Sequence, residues 1–180
     1  MTAVKQPGFA IWFTGLPSSG KSTLARLVGQ RLAAQGITAQ LLDSDALRRR
    51  LTPQPTYSDA ERDWFYEMVV FLAELLTGNG VNVMIAATAP RQAYRDAARE
   101  RLARFVEVYV ICPIEVCRAR DSKGLWQKAE AGEITTLPGV GTAYEPPLAP
   151  EVAVDTAEES PEASTSKIWR YLDERVLSDA

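Results

Sequence analysis

Short apolar runs alternate with segments of helical periodicity along this chain. Five of the runs have the length of buried strands. They lie at residues 9–13, 37–42, 81–86, 105–111 and 151–154. Between them, apolar residues recur at helical spacing, as Phe65, Val69 and Leu72 do. Strands that alternate with helices predict an α/β fold in which a parallel five-stranded sheet carries helices on both faces.

The predicted helices carry start and stop signals. Ser58 and Glu61 form a capping box at the start of the longest helix, and Gly78 and Gly80 mark its end. The pair Ser160-Pro161 is typical of an N-cap and first helical position. Further helices are expected after residue 23, at 46–51, from 90 onward, at 113–121 and at 160–177. Residues 122–132 form a polar segment.

Length and composition limit what this chain does. With 180 residues, of which 46% are hydrophobic, it is expected to form one domain over residues 1–180. The net charge is −3 and acids are interleaved with the basic residues, so we expect no nucleic-acid partner. Neither a signal-peptide core nor a membrane-spanning stretch is recognisable, so we expect a cytoplasmic protein without a membrane partner.

The side chains available for acid–base and metal chemistry are few. Histidine is absent, and Cys112 and Cys117 are the two cysteines. Two cysteines without further ligands do not build a zinc site, so both are expected to be small buried residues. Any general base is therefore a carboxylate.

Residues 15–22 read Gly-Leu-Pro-Ser-Ser-Gly-Lys-Ser and directly follow the first predicted strand. This is the spacing of a P-loop, whose glycines let backbone N–H groups turn towards phosphate. We expect Lys21 to be catalytic at the β- and γ-phosphates, and the Ser22 hydroxyl to bind Mg²⁺. The helix that follows adds its N-terminal dipole to the anion site. The residues expected to bind ATP are Gly15, Leu16, Pro17, Ser18, Ser19, Gly20, Lys21, Ser22 and Thr23.

A P-loop alone leaves a GTPase, an ATPase and a small-molecule kinase open, and the neighbouring residues favour a kinase. Asp43 and Asp45 follow the second strand, at the sheet edge where parallel α/β folds bind ligands. Asp45 is expected near the γ-phosphate, where it accepts a proton from an attacking hydroxyl. Arg48, one helical turn on, suits an anionic acceptor. Both acids also suit the cap of the next helix, and one of them is expected to cap it.

Motifs from about residue 9 to 155 resemble the adenylylsulfate (APS) kinase family in colinear order. Besides the P-loop, residues 43–48 read Asp-Ser-Asp-x-x-Arg for the family's Asp-Gly-Asp-x-x-Arg. Residues 57–62 read Tyr-Ser-x-x-Glu-Arg, where the family has Phe-Ser-x-x-Asp-Arg. Residues 113–126 end in Asp-Ser-Lys-Gly-Leu-Trp, which is similar to Asp-Pro-Lys-Gly-Leu-Tyr. Gly-Glu-Ile at 132–134 and Tyr-Glu-x-Pro at 144–147 extend the match.

The resemblance implies a P-loop NTPase fold and ATP-dependent phosphorylation of the ribose 3′-hydroxyl of APS, giving 3′-phosphoadenylylsulfate. ATP and Mg²⁺ are the implied cofactors. Family roles make Asp45 the base and residues 118–132 a mobile lid, from which Arg118 and Lys123 reach ATP. The residues implied to bind the acceptor are Asp43, Arg48, Tyr57, Arg62, Lys123 and Leu137, with Tyr57 stacked on adenine.

This chain departs from the family in the acceptor site. After Arg62, where the family carries Glu-Asn, residues 64–66 read Trp-Phe-Tyr, of which two are expected to belong to an apolar core face. Residues 89–91 read Ala-Pro-Arg for Ser-Pro-Tyr, so no phosphoserine forms there, and in-line transfer needs none. Leu137 replaces the second aromatic of the adenine clamp. We therefore expect a weaker KM for APS, and tighter APS binding after Leu137→Phe.

Three hypotheses follow. The leading one is an APS kinase. The second is a kinase of the same fold that acts on another nucleotide or on a small-metabolite hydroxyl. The third is a nucleotide-binding switch without catalysis, against which Lys21, Ser22, Asp45 and Lys123 argue. The sequence leaves the oligomeric state open, with a homodimer among the alternatives.

Overall fold

The computed structural model describes residues 6–178. Residues 1–5, in which no signal peptide is expected, and residues 179–180 lie outside the described residues. The strands are β1 Ala10–Thr14, β2 Ala39–Asp43, β3 Asn82–Ala86, β4 Phe105–Ile111 and β5 Val152–Asp155. The helices are α1 Lys21–Ala34, α2 Ser44–Leu51, α3 Asp59–Gly78, α4 Gln92–Arg101, α5 Ile114–Arg120, α6 Leu125–Glu130 and α7 Pro161–Leu172. A π-helical turn, Asp173–Leu177, follows α7.

All five strands are parallel and lie in the order β2-β3-β1-β4-β5. The central strand β1 is buried at every residue, which explains why four of its five residues are apolar. In the register, Asp43 lies beside Ala86, and Ala86 beside Phe13. The carboxyl ends of β2, β3 and β1 are therefore level, and the segments that leave them meet at one edge of the sheet.

Helices cover both faces of the sheet, as the sequence predicts. On one face, Ile11 and Phe13 of β1 share a buried cluster with Leu24 of α1 and Ile168 of α7. On the other face, Trp12 shares a cluster with residues of α3 and α4. Successive residues of β1 thus enter opposite cores, as the pleat of a strand requires. The predicted parallel α/β fold is confirmed.

The polar segment 122–132 contains a helix, α6, that the sequence pattern does not predict. The Asp121 carboxylate caps it by accepting the backbone N–H groups of Trp126 and Gln127, each at 3.0 Å. Trp126 is 1% exposed and fills a small core with both cysteines, which are buried as expected. The two buried residues of α6, Trp126 and Ala129, therefore fix a segment whose exposed residues are mostly polar. Among the helices of residues 6–178, none is both long and apolar enough to cross a membrane.

Candidate active site

The P-loop leaves β1 along a path that two glycines permit. A Cβ atom on Gly15 would lie 2.4 Å from the carbonyl oxygen of Val110, and Gly20 has φ 104°. Helix α1 begins at the next residue without a side-chain cap. Its first N–H groups therefore have no partner within the helix and are free to bind an anion.

Three residues outside the loop hold it in place. The Trp126 indole N–H donates to the carbonyl of Pro17 at 3.2 Å, and the Thr156 hydroxyl donates to the carbonyl of Ser19 at 2.8 Å. Arg120 donates in turn to the Thr156 hydroxyl at 3.0 Å. The sequence names none of these three as an individual site residue, although Arg120 and Trp126 lie within the expected lid. No motif in the sequence singles out Thr156. Trp126 could have been singled out, because a tryptophan within a polar segment indicates a buried contact.

A cleft of about 530 Å³ opens beside the P-loop at the carboxyl edge of the sheet. It brings together the P-loop, the start of α2, the end of β3 and the segment around α5 and α6. Polar and charged residues that line it are Ser18, Lys21, Ser22, Thr23, Ser44, Asp45, Thr88, Arg120, Ser122, Lys123, Thr156 and Glu159. The predicted ATP site and the predicted base therefore face one cavity.

Lys21 is folded back onto the loop that carries it. Its ammonium donates to the carbonyl oxygens of Gly15 at 2.9 Å and of Leu16 at 2.7 Å. Removal of the ammonium from water is the main reason why the pKa of Lys21 falls from 10.5 to about 8, and the positive charge of Lys123 contributes. Phosphate oxygens in the cleft would give this ammonium stronger partners than two carbonyls.

We expect ATP binding to take up protons at alkaline pH. At pH 8 about half of the Lys21 side chains are neutral in the free protein, and bound phosphates raise this pKa, so about half a proton is taken up per nucleotide. At pH 7 the uptake falls to about a tenth of a proton, because the lysine is already charged.

Calorimetry in two buffers of different ionisation enthalpy measures this uptake. Lys21→Arg is the control, because its guanidinium stays charged throughout this range. If the variant takes up as many protons as the parent, a group other than Lys21 is responsible.

Asp43 and Asp45 have separate positions. Asp43 caps α2, since its Oδ1 accepts the N–H groups of Asp45 at 3.1 Å and Ala46 at 3.0 Å. Its Oδ2 accepts the Ser22 hydroxyl at 3.3 Å. The Asp45 carboxylate takes no part in the cap; it lines the cleft and pairs with Lys123. The expectation that one of the two acids caps the helix is confirmed, and the other carboxylate faces the cleft.

The donors near Ser22 suit Mg²⁺. Within residues 6–178, no group of three or more His, Cys, Asp or Glu side chains is arranged to hold a metal ion. Mg²⁺ does not need such a cage, because it keeps several waters and binds through one or two protein oxygens together with phosphates. The Ser22 hydroxyl and the Asp43 carboxylate, already in contact, provide that kind of donor set.

Arg48 and Tyr57, which the resemblance implies to bind the acceptor, face each other. The Arg48 guanidinium lies 4.9 Å from the ring centre of Tyr57 and 3.8 Å from that of Phe65. Tyr57 is 37% exposed. Arg62, by contrast, is 4% exposed and donates to the carbonyls of Tyr57, at 3.0 Å, and Thr136. Arg62 thus holds two backbone segments together, and its contact with an acceptor remains a prediction. Of residues 64–66, two are buried, as expected.

Leu137 and Arg118 differ from what the resemblance implies. Leu137 is 5% exposed and packs in the cluster around Trp126, so it presents no open stacking face. A phenylalanine there would overpack this cluster, so we no longer expect Leu137→Phe to tighten acceptor binding. Arg118 lies by Glu130, 3.7 Å away, and Arg120 lines the cleft instead. Side chains two positions apart on a helix point in nearly opposite directions. Only one of these two arginines therefore faces the cleft.

Comparison with known proteins agrees with this geometry. The adenylylsulphate kinase family model matches residues 7–155. The adenylyl-sulfate kinase of Rippkaea orientalis (strain PCC 8801 / RF-1) is 43% identical over 171 residues, which cover 95% of this chain and 94% of that protein. Both matches extend far beyond the P-loop.

Solved structures give the same result. An APS kinase of Mycobacterium tuberculosis, in complex with AMPPNP and APS, is 35% identical and superposes with a TM-score of 0.87, over 93% of this chain and 98% of that one. The shikimate kinase of Aquifex aeolicus vf5, 19% identical, superposes with a TM-score of 0.56 over 94% and 99% of the two chains, which shows a shared fold alone. On the family match and the identity of its relatives, this chain belongs to the adenylylsulphate kinase family.

Proposed function

We propose that this protein is an adenylylsulfate kinase, which transfers the γ-phosphoryl group of ATP to the ribose 3′-hydroxyl of APS. The observation that carries the proposal is the position of Asp45, whose carboxylate takes no part in the helix cap and shares a cleft with the P-loop lysine. A nucleotide-binding switch needs the P-loop and one carboxylate for Mg²⁺, a role that Asp43 beside Ser22 can fill, but it has no use for a second carboxylate in the cleft. The arrangement therefore favours catalysis.

In the proposed mechanism the 3′-hydroxyl attacks the γ-phosphorus in line, and Asp45 accepts its proton as the bond to ADP breaks. Lys21 exchanges the carbonyls of Gly15 and Leu16 for phosphate oxygens, on which charge develops in the transition state. The Lys123–Asp45 ion pair opens first, because Lys123 occupies Oδ2 of the carboxylate and its positive charge opposes protonation there. Incoming phosphates give Lys123 another partner.

Ser22, supported by Asp43, is the residue that we expect to hold Mg²⁺, and the bound ion would neutralise charge on the β- and γ-phosphates. We infer that residues 118–132 are the lid, since Arg120 and Lys123 reach the cleft from this segment. A single domain, a cytoplasmic location and a homodimer remain predictions.

The second candidate function is a kinase of the same fold with another acceptor. The buried Leu137 favours it, because this side chain replaces an aromatic residue of the family's adenine clamp and offers no face to a base. The exposed ring of Tyr57 and the guanidinium of Arg48 favour APS, since together they suit an adenine ring and an anion. We therefore keep APS as the acceptor and expect a weaker KM than with a complete aromatic clamp.

ADP release tests this choice. The purified protein is assayed with ATP and Mg²⁺ and with one acceptor at a time: APS, adenosine 5′-phosphate, shikimate or none. We expect release that depends on APS and saturates below millimolar concentration. Turnover with another hydroxyl compound, together with no response to millimolar APS, would replace the leading function by the second one.

A further inference from the structure

Glu61 lies in the first turn of α3, and both oxygens of its carboxylate accept hydrogen bonds. Its Oε1 lies 3.2 Å from Nη1 of Arg48, and this ion pair is largely buried, with side chains 12% and 15% exposed. Its Oε2 accepts the N–H of Thr56 at 2.5 Å and the Thr56 hydroxyl at 2.6 Å. Glu61 therefore joins α2 and the turn before α3 to the start of α3.

These contacts are more than the capping box that the sequence predicts. Ser58 does cap α3, by accepting the Glu61 N–H at 3.3 Å. In a capping box the Glu61 side chain would return to the N–H of Ser58, but that N–H donates to the Thr56 hydroxyl at 3.4 Å. The Glu61 carboxylate reaches Thr56 and Arg48 instead. The Glu61 side chain therefore has a role other than capping the start of α3.

The residue after Thr56 is Tyr57, which has φ 53°, a left-handed conformation that an aromatic residue rarely adopts. Such a backbone persists where its surroundings hold it. Here Glu61 holds the preceding amide, and Arg62 holds the Tyr57 carbonyl through Nε at 3.0 Å. The direction of the Tyr57 ring therefore depends on Glu61.

Arg48 depends on Glu61 as well. Its guanidinium lies over the Tyr57 and Phe65 rings, and Glu61 is the carboxylate that neutralises it there. Removal from water raises the pKa of Glu61, but the hydrogen bonds from Thr56 and the charge of Arg48 outweigh this and hold the pKa below its ordinary value. The carboxylate is therefore ionised at neutral pH.

We propose that Glu61 is a positioning residue for the acceptor, which fixes the Tyr57 ring and the Arg48 guanidinium relative to each other. The identity of the acceptor as APS rests on the proposed function. The hydrogen bonds and the ion pair of Glu61 are with Arg48, Thr56 and Ser58, none of which belongs to the P-loop, so its effect should be confined to the acceptor.

Steady-state kinetics of Glu61→Ala tests the proposal. We expect the KM for APS to rise about tenfold, the scale of one lost charged hydrogen bond, with less than about a twofold change in the KM for ATP. Glu61→Gln keeps an oxygen that accepts from Thr56 but loses the negative charge that pairs with Arg48. Its effect should therefore be smaller than that of Glu61→Ala. The matched control is Glu74→Gln on the same helix, which weakens an exposed ion pair with Arg101 and should leave both constants unchanged.

A double-mutant cycle separates positioning from a general structural role. If Glu61 acts through Tyr57, then Glu61→Ala should raise the KM for APS by much less in a Tyr57→Ala background. Equal effects in both backgrounds, an unchanged KM for APS in the single variant, or an equal rise in both KM values would overturn the proposal.

One measurement is independent of the acceptor. Amide hydrogen exchange at Thr56 should speed up at least about tenfold in Glu61→Ala, because its N–H loses its partner, and should be unchanged in Glu74→Gln. If the parent protein ignores APS, the proposed function fails, and hydrogen exchange alone decides whether Glu61 holds the turn. Unchanged exchange at Thr56 would contradict the proposal.

Discussion

Replacement of Asp45 by asparagine is expected to lower kcat by about 10²- to 10⁴-fold and to leave ATP affinity nearly unchanged. The amide keeps the size of the side chain but does not accept the proton of the attacking hydroxyl. ATP affinity should survive because the P-loop contacts form without Asp45. Rapid-quench measurement of the chemical step, together with equilibrium binding of ATP, gives both quantities.

Asp43→Asn is the matched control for Asp45→Asn. Asp43 caps α2 and contacts Ser22, so its replacement should act on stability and on the KM for MgATP, with a smaller effect on the chemical step. If both variants show equally small losses of kcat, Asp45 is part of the scaffold and the proposed base is wrong.

Lys21→Ala is expected to reduce turnover at least about a hundredfold, the scale of one preorganised charge contact in a transition state. The ammonium is already placed at the P-loop by the carbonyls of Gly15 and Leu16, so little rearrangement precedes its contact with phosphate. The loss should appear in kcat and in kcat/KM for ATP, measured by ADP release.

Arg31→Ala is the control for Lys21→Ala. Arg31 is exposed in the last turn of the same helix and does not line the cleft, so its removal should leave turnover unchanged. Circular dichroism establishes that both variants are folded. Full activity in folded Lys21→Ala would show that the lysine has no role in transfer.

Most of the fold could be predicted because burial leaves a local pattern. β1 enters cores on both faces, so four of its five residues are apolar and the strand is recognisable from sequence. The P-loop is equally local, since its turn depends on glycines at fixed spacing. Helix α6 was missed because only two of its residues, Trp126 and Ala129, are buried, and its exposed residues are polar.

Parts of the site could not be predicted, because they depend on the direction of side chains in three dimensions. The resemblance implies Arg118 at the ATP site, but the rotation of α5 decides that Arg120 faces the cleft. Leu137 matches an aromatic clamp position, yet contact with the Trp126 cluster buries it. The capping-box spacing of Glu61 is local, but its partner Arg48 belongs to another helix.

The position of the new phosphate ester tests the central claim most directly. Phosphorus NMR of the products formed from ATP, Mg²⁺ and APS identifies the oxygen that received the γ-phosphoryl group. We predict a monoester coupled to the ribose H3′ proton, formed in equal amount to ADP, and formed at least about a hundredfold more slowly with Asp45→Asn. ADP accompanied only by inorganic phosphate, or a phosphate ester at any other hydroxyl, would contradict the account.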